Sequence, residues 1–450
     1  MNTRITTLCL AASLLPALSS GQSMPAPFSH RLSLETAVRL AVEHNRQLLN
    51  AQLEIEQADD AVAIARTRRL PAFQTEASAS QLVTPIDFSF PRGAFGDFPG
   101  TGPVPATDMN VTVSRQPTAY VSSQVSQPIS QLFEIGLNIR SAAAGRDMAR
   151  ERARARQQAV VNDVKRLYFA ILQTESALAA DEQVIALYRE IDRTLQVRVA
   201  QQVALRSDAL DVRVRLAQAE FAKTTRQNNL ASQKEQLNQL LGRDVRTSFE
   251  VEEVSVVSLL DVDLTAAQAR ALENRPDIRE AQLALQRADL NRRLAAADRI
   301  PDISLAASYS SNFNMDVLPR NLATVGLQFK WEPFDWGRKG HEVASRTRAV
   351  QQARLSLRDA QDRAVLEVNN RFRILTEKRA LLVVAEMAQS AAREKLRVKT
   401  NQFQVQAALL PDVLQVRAEV ADVDDRYQQA LLAFWTARAD FERAVGEDIV

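Results

Sequence analysis

The chain of 450 residues contains only 12 glycines and is 6% aromatic, whereas glycine alone makes up about 7% of an average protein. With 46% hydrophobic residues, this composition is typical of long helices and excludes a low-complexity disordered chain. Lysine and arginine number 56 against 54 acidic residues, and this balance argues against a nucleic-acid partner. The single cysteine, Cys9, excludes disulfide frameworks and CxxC zinc sites.

Residues 1–21 have the pattern of a Sec-type signal peptide. Arg4 gives a short positive region, residues 8–18 form an apolar run, and small residues follow at positions suited to cleavage. No later stretch approaches the ~20 apolar residues of a transmembrane helix. We therefore predict an exported protein without a helical membrane span.

The sequence after the signal peptide contains a tandem repeat. Twelve residues within 34–71 recur without a gap 230 positions later, and a block that starts at Leu205 recurs 204 positions later. The two offsets differ because the first copy carries 26 extra residues. Because a repeat of this kind constrains the whole fold, it guides the interpretation of the individual helices and strands. The expected domains are a first repeat over 22–245, a linker over 246–263 and a second repeat over 264–450.

Each copy opens with a predicted helix, over 34–69 and 264–299, and each helix stops at a proline. Two predicted strands follow in each copy, because apolar and small or polar residues alternate there with a period of two. These segments are 73–83, 119–129, 303–310 and 324–331. The extra residues of the first copy lie between its strands and are rich in proline and glycine, which predicts a long exposed loop.

Very long helices follow the strands in both copies. Apolar residues recur at seven-residue steps, as in coiled-coil packing. They are Val164, Ile171, Leu178 and Ile185 in the first copy and Val368, Leu375 and Leu382 in the second. Each helix turns back and ends at a glycine, Gly242 or Gly446, the residue expected after a helix end. Each copy is therefore predicted to add a long helical hairpin to its two strands.

Aromatic residues lie on the apolar face of the strands or close to it, as in the girdles of membrane barrels. They are Tyr309, Phe313, Phe329, Trp331, Phe334 and Trp336. One interpretation is an ordinary four-stranded sheet in a soluble sandwich. The favoured one is a lipid-facing sheet, because the opposite face is small and polar. Membranes accept strands only in closed barrels of about eight or more, so four strands per chain imply an oligomer of two or three chains.

The sequence resembles the TolC family of outer-membrane efflux and secretion channels over essentially the whole mature chain. The similarity lies in the order of elements, in the opening-helix pattern of 34–48 and 264–278, and in the junction Pro-Phe-Asp-Trp-Gly-Arg at 333–338. The resemblance implies a mainly α fold with a small transmembrane β part. Three chains would form a twelve-stranded barrel and a twelve-helix tunnel in the outer membrane of a Gram-negative bacterium. A periplasmic adaptor and an inner-membrane pump would deliver drugs, metals or secreted proteins to it.

The resemblance also points to the hairpin tips, where adaptor-docking members often carry Val-Gly-Leu. The corresponding residues are Val203, Ala204 and Leu205 in the first copy and Ala407, Ala408 and Leu409 in the second. Alanine in place of glycine keeps an apolar knob but stiffens the turn.

Acidic residues at the tunnel entrance are a further expectation from the family. The gate candidates in this chain are Asp208 and Asp412, with Arg206 beside the first and Gln415 where a second acid is expected. Three copies of Asp412 would form a cation-binding ring that resists opening. The alternative is that Asp208 and Asp412 cap the returning helices, as aspartate commonly does.

The sequence contains no GxSxG, Walker A, HExxH or GxGxxG motif. We expect no enzymatic activity, no cofactor and no metal site. Two function classes remain, a passive outer-membrane conduit for efflux or type I secretion and a periplasmic coiled-coil adaptor or scaffold. The aromatic-flanked strands favour the conduit, because an adaptor has no need of them.

Overall fold

The computed structural model describes residues 31–253, 263–314, 319–405, 407–408 and 410–447. The predicted signal peptide, part of the predicted linker and Leu409 lie outside these ranges. Most of the described chain is helical. The helices are α1 (Leu34–His44), α2 (Arg46–Thr67), α3 (Leu132–Ala200), α4 (Arg206–Leu240), α5 (Leu264–Asn274), α6 (Pro276–Ala297), α7 (Arg338–Gln404) and α8 (Leu410–Val445).

The strands are short except for four that form one antiparallel sheet. They are β1 (Arg31–Leu32), β2 (Ala72–Gln81), β3 (Ile86–Phe90), β4 (Asp97–Phe98), β5 (Gly102–Pro103), β6 (Met109–Val113), β7 (Pro117–Pro128), β8 (Glu250–Val251), β9 (Asp302–Phe313) and β10 (Asn321–Lys330). The four-stranded sheet has the order β10-β9-β7-β2. The two predicted strands of each copy are thus confirmed, and the two copies meet where β7 pairs with β9.

The opening helix of each copy is two helices, which corrects the prediction of one continuous helix over 34–69 and another over 264–299. Asn45 and Arg275 have extended backbones, with ψ of 126° and 130°, and so break the helical hydrogen-bond pattern. The Asn45 side chain caps α2 by accepting from the backbone N–H of Gln47 at 2.8 Å. In the second copy Pro276 occupies the first helical position, where its missing N–H costs nothing.

The long helices pack side by side in one layer. In the half near the sheet, α2 packs on α3, α3 on α6 and α6 on α7. In the far half, α4 packs on α3, α3 on α8 and α8 on α7. Helices α3 and α7 therefore run through both halves, and the 69 residues of α3 span roughly 100 Å.

The seven-residue apolar repeat marks the core of this layer, as predicted. In the first copy Val164, Ile171 and Ile185 are buried and Leu178 is partly buried. The three repeat positions of α7 (Val368, Leu375 and Leu382) are also buried.

A two-stranded parallel sheet, β1 with β8, is attached to the middle of α3 by Tyr168. The ring is fully buried, and its hydroxyl lies 2.8 Å from the carbonyl oxygen of Leu32 and 2.7 Å from that of Glu252. The hydroxyl oxygen of Tyr168 also accepts the backbone N–H of Glu252 at 2.9 Å. Burial raises the pKa of Tyr168 to about 12, so the phenol stays neutral and holds both strands.

The extra residues of the first copy are an ordered hairpin, which corrects the prediction of a long loop. Strands β3 and β6 pair antiparallel over five residues each, and β4 pairs with β5 at the tip. The Phe90 and Phe95 rings lie 5.1 Å apart, and Asp108 accepts the Arg92 N–H at 2.7 Å. Proline and glycine thus mark the turns of this segment, while alternating Ile86 and Phe88 supply its strand.

The end of α4 abuts the start of α2, so the two helices continue one another. The Asn45 side chain donates to the carbonyl oxygen of Leu240 at 2.8 Å. Gly242 ends α4 with a left-handed φ of +70°, and a Cβ there would lie 2.0 Å from the His44 carbonyl oxygen. In the second copy Arg275 corresponds to Asn45, and its side chain donates to the carbonyl oxygen of Ala444 at 3.0 Å.

We expect Gly242→Ala to lower the free energy of unfolding by about 2 kcal/mol or more, because it adds a backbone clash to a strained φ. Gly145→Ala is the matched control, since Gly145 is in the interior of α3 and the nearest atoms to its Cβ are 3.8 Å away on a flexible arginine. That control should be neutral or stabilising. Thermal unfolding followed by circular dichroism measures both, and equal stability of the two variants would contradict the tight junction.

The seam between α3 and α8 carries two largely buried carboxylates, those of Asp425 and Asp181. Asp425 is 9% exposed; its Oδ2 accepts from Gln429 at 2.7 Å, while its Oδ1 has no hydrogen-bond partner within the described ranges. Asp181 on α3 forms a 2.8 Å ion pair with Arg226. Burial, together with the charges of Asp422 and Asp181, raises the pKa of Asp425 despite Gln429 and Arg226.

A raised pKa means that the folded chain favours the protonated carboxyl, so stability falls as the pH rises from 3.8 through the folded value. We therefore expect Asp425→Asn to stabilise the protein by about 1 kcal/mol at neutral pH and to have little effect near pH ~4. Asp424→Asn is the control, because Asp424 accepts from Gln389 and Arg393 and its loss should destabilise. Thermal midpoints across pH test this, and a destabilised Asp425→Asn at neutral pH would contradict it.

Candidate functional site

The four-stranded sheet has two chemically different faces. The register places Ala307 opposite both Val125 and Val325, and Val125 opposite Phe73, so one apolar row crosses all four strands. The other face is small and polar, and Ser308 and Thr324 on it share a 2.7 Å hydrogen bond.

Most polar side chains on the apolar face are paired with one another. Thr75 and Ser123 lie 3.0 Å apart, and Asn321 accepts from the hydroxyls of Tyr309 at 3.2 Å and Ser311 at 3.0 Å. Because these groups bond locally, the face suits an apolar medium. The strands are 10 to 12 residues long, the length that crosses a bilayer when tilted.

The predicted aromatic girdle divides into two groups at opposite ends of the apolar face. Tyr309 and Phe313 lie toward the β9–β10 turn. At the helical end, the centroids of Phe329 and Trp331 are 6.5 Å apart, and those of Phe334 and Trp336 are 4.7 Å apart.

Register sets the distance between the two groups. Phe329 pairs with Ile303, ten positions from Phe313 along β9, which is roughly 33 Å at 3.3 Å per residue. Tilted by about 40°, this spacing matches the ~25 Å apolar band of a membrane barrel.

The sheet and the helical layer end at the same two sides of the chain. One side consists of β2, α2 and α4, and the other of β10 and α7. Exposed apolar residues follow each helical edge at spacings that place them on one face. They are Leu49, Leu53 and Ile64 on α2, Leu210, Val214 and Phe221 on α4, and Leu355, Leu366, Val384 and Met387 on α7. These edges cannot be recognised in the sequence, because their periodicity is the same as that of core residues.

The first hairpin tip brings several of the predicted residues into one short turn, residues 201–205. Gln202 has a left-handed φ of 60°, and the Val203 N–H bonds to the carbonyl oxygen of Arg198 at 2.9 Å, as in a Schellman helix end. Val203 and Leu205 are 70% and 68% exposed, and Ala204 between them is partly buried. The left-handed position is therefore Gln202, and Ala204 has no positive φ.

Arg206 and Asp208 follow in the first turn of α4, and both are exposed. The N-cap of α4 is Leu205, so Asp208 is not the cap that the alternative interpretation required. It lies two residues after Arg206, where a carboxylate still interacts favourably with the helix dipole.

The second tip is similar. Ala407 is exposed and Ala408 partly buried, while Leu409 lies outside the described residues. Asp412 is in the first turn of α8, and Gln415 lies three residues further on; both are exposed. Within one chain, the predicted residues of each tip lie together at that tip. The aromatic residues lie apart from both tips, at the sheet.

Two other features are absent from the described ranges. No group of three or more His, Cys, Asp or Glu side chains is arranged to hold a metal ion there. None of the helices there combines the length and apolarity of a bilayer-spanning helix.

The fold is that of known outer-membrane channels. The chain aligns with the Campylobacter jejuni CmeC outer membrane channel at a TM-score of 0.74 and 16% identity, over 92% of this chain and 85% of that one. It aligns with the outer membrane protein VceC of Vibrio cholerae at a TM-score of 0.71 and 16% identity, over 92% and 96% of the two chains. Identities this low establish the fold alone.

Sequence comparison reaches two proteins of Pseudomonas putida, the solvent efflux pump outer membrane protein SrpC and the toluene efflux pump outer membrane protein TtgI. Each is 30% identical over 277 residues, 60% of this chain. The match spans about half, 54%, of the length of each relative. The profile of the outer membrane efflux protein family matches residues 37–243 and 268–447. The chain therefore belongs to the outer membrane efflux protein family.

Proposed function

We propose that the protein is the outer-membrane channel of a tripartite efflux or type I secretion system. The observation that carries this proposal is the open four-stranded sheet, apolar on one face, polar on the other and flanked by aromatic residues at both ends. Such a sheet exposes unpaired backbone groups at β2 and β10, which lipid does not tolerate. Pairing these edges between chains satisfies the backbone and turns the polar face toward an aqueous lumen.

The edges of the chain support a ring of identical subunits. The α4 edge and the α7 edge are different surfaces, and a contact between two different surfaces forms a ring when its rotation closes. Phe221 and Met387, 74% and 68% exposed, would be covered there. Three chains give twelve strands and the same number of helical columns, as in the family.

The twelve-stranded barrel would lie in the outer membrane, in contact with its lipids, and the helical layer would continue it into the periplasm. The chain is divided in this proposal as the sequence suggests, into repeats over 22–245 and 264–450 with a linker over 246–263. The conduit itself is passive and makes or breaks no bond. An inner-membrane pump supplies the energy.

The hairpin tips are proposed to dock a periplasmic adaptor protein. Val203 and Leu205 are an exposed apolar pair at the end of a roughly 100 Å helix, and exposed apolar pairs of this kind favour a protein partner. Asp208 and Asp412 would surround the tunnel entrance. The periplasmic scaffold alternative does not account for the aromatic-flanked sheet.

Charge placed on either helical edge should disrupt the oligomer, because it would be buried without a partner. We expect Phe221→Glu and Met387→Glu to abolish the heat-resistant oligomer on semi-denaturing gels while circular dichroism stays helical. The matched control is Phe95→Glu, which changes an exposed phenylalanine of the β3–β6 hairpin. This variant should keep the heat-resistant oligomer. An intact oligomer in both edge variants would show that these edges are not the interface.

Removal of the Asp412 carboxylate should weaken cation binding at the entrance. We expect Asp412→Ala to raise single-channel conductance or to reduce block by divalent cations in planar bilayers. Glu43→Ala, on α1 and away from the tips, removes the same charge and should change neither. Unchanged conductance and block in Asp412→Ala would leave Asp412 with a role only at the start of α8.

A further inference from the structure

A groove of about 600 Å³ lies between α3 and the junction of α4 with α2. This volume is in the range of small-molecule sites. Its apolar lining consists of Leu167, Ala170 and Leu240, and amide side chains such as Gln47 and Gln236 surround it. The groove is formed entirely by helices of one chain.

Two arginines line this groove without partners. Arg46 and Arg166 form no side-chain hydrogen bond or ion pair with any residue in the described ranges, although most arginines of the helical layer do pair. The only acidic residue in the lining is Asp163, and it lies beyond 4.0 Å of both guanidinium groups. The groove therefore has a net positive charge beside an apolar floor.

The second copy of the repeat shows that these charges are not needed to build the junction. The repeat offsets place Pro276 at the position of Arg46 and Asn370 at that of Arg166. The arginine that is present there, Arg275, is fully engaged with Asp277, Glu367 and the carbonyl oxygen of Ala444. The second junction thus forms with Arg275 paired and with no arginine at the positions of Arg46 and Arg166.

The groove opens on the face of α3 opposite the small parallel sheet. Arg166 and Tyr168 are two residues apart, so their side chains lie about 200° apart around the helix. Tyr168 holds β1 and β8 on one face, which leaves Arg166 on the other. A second groove of about 350 Å³ on the α8 side of α3 shares Arg166 and Ala170. Arg166 therefore lies between two grooves on this face, which lines the lumen in the proposed trimer.

We propose that this groove is a binding site for small organic anions on the tunnel wall. A carboxylate or sulfonate group binds Arg46 and Arg166, whose planar guanidinium groups match such oxyanions. The apolar body of the ligand packs on Leu167, Ala170 and Leu240. The site rests on the proposed channel function, because it is a resting position for compounds in transit.

The test is equilibrium dialysis of the purified, full mature protein against naphthalenesulfonate, with uncharged naphthalenemethanol as the companion probe. We expect saturable sulfonate binding that Arg46→Gln and Arg166→Gln each weaken about fivefold, the scale of a partly exposed charge contact. Arg166→Lys should restore part of it. Binding of the alcohol should be weaker and insensitive to either variant.

Arg189→Gln is the matched control, because it removes the same charge from α3 at a site where Arg189 is already paired with Glu220. Unweakened sulfonate binding in Arg46→Gln and Arg166→Gln, or equal weakening in Arg189→Gln, would overturn the proposal. Planar-bilayer conductance is measured on the same samples. Normal conductance with no arginine-dependent binding refutes this site alone, whereas absent conductance refutes the channel.

Discussion

A single chain leaves both of its layers open, and the proposed channel depends on closing them. The four-stranded sheet ends in β2 and β10, whose outer backbone groups have no partner in the sheet. The helical layer ends in α4 and α7, where large apolar side chains are exposed. A backbone edge cannot remain unpaired in lipid, and an apolar stripe of this size is unusual on a monomer surface. Association through these edges satisfies both requirements at once.

Because the sequence repeat supplies two similar sets of strands and helices, the four-stranded sheet and the helical layer are continuous with each other. Helices α3 and α7 each run from the sheet to a hairpin tip, while α2 with α4 and α6 with α8 are stacked pairs that fill the space beside them. Asn45 joins the first stack through a side-chain amide and Arg275 joins the second through a guanidinium. The sheet and helical layer thus share the same edges, so a lumen enclosed by one would continue into the other.

Period-two and seven-residue patterns were enough to predict the four strands and the buried seams at Val164 and Val368, because these patterns show directly which residues share one face of an element. The breaks at Asn45 and Arg275 were missed, since neither residue interrupts the apolar periodicity. Asn45 contacts Leu240, which lies 195 positions away in the sequence, whereas Pro276 directly after Arg275 marks a helix boundary locally. The β3–β6 hairpin of the first copy was not predicted, because the proline and glycine residues of its turns are also typical of a loop. The apolar stripe on α4 has the same spacing as a core face, so only the packing of its neighbours shows that it is exposed. The lack of a partner for Arg166 in the described ranges is likewise visible only in the tertiary structure.

The central claim is that identical chains complete one another, and native mass spectrometry of the detergent-extracted, signal-cleaved protein tests it most directly. The account predicts a single species of three chains that persists until the detergent micelle is removed and the chains dissociate or aggregate. A stable, folded single chain in buffer without detergent would contradict it, because the apolar sheet face and both helical edges would then be exposed to water.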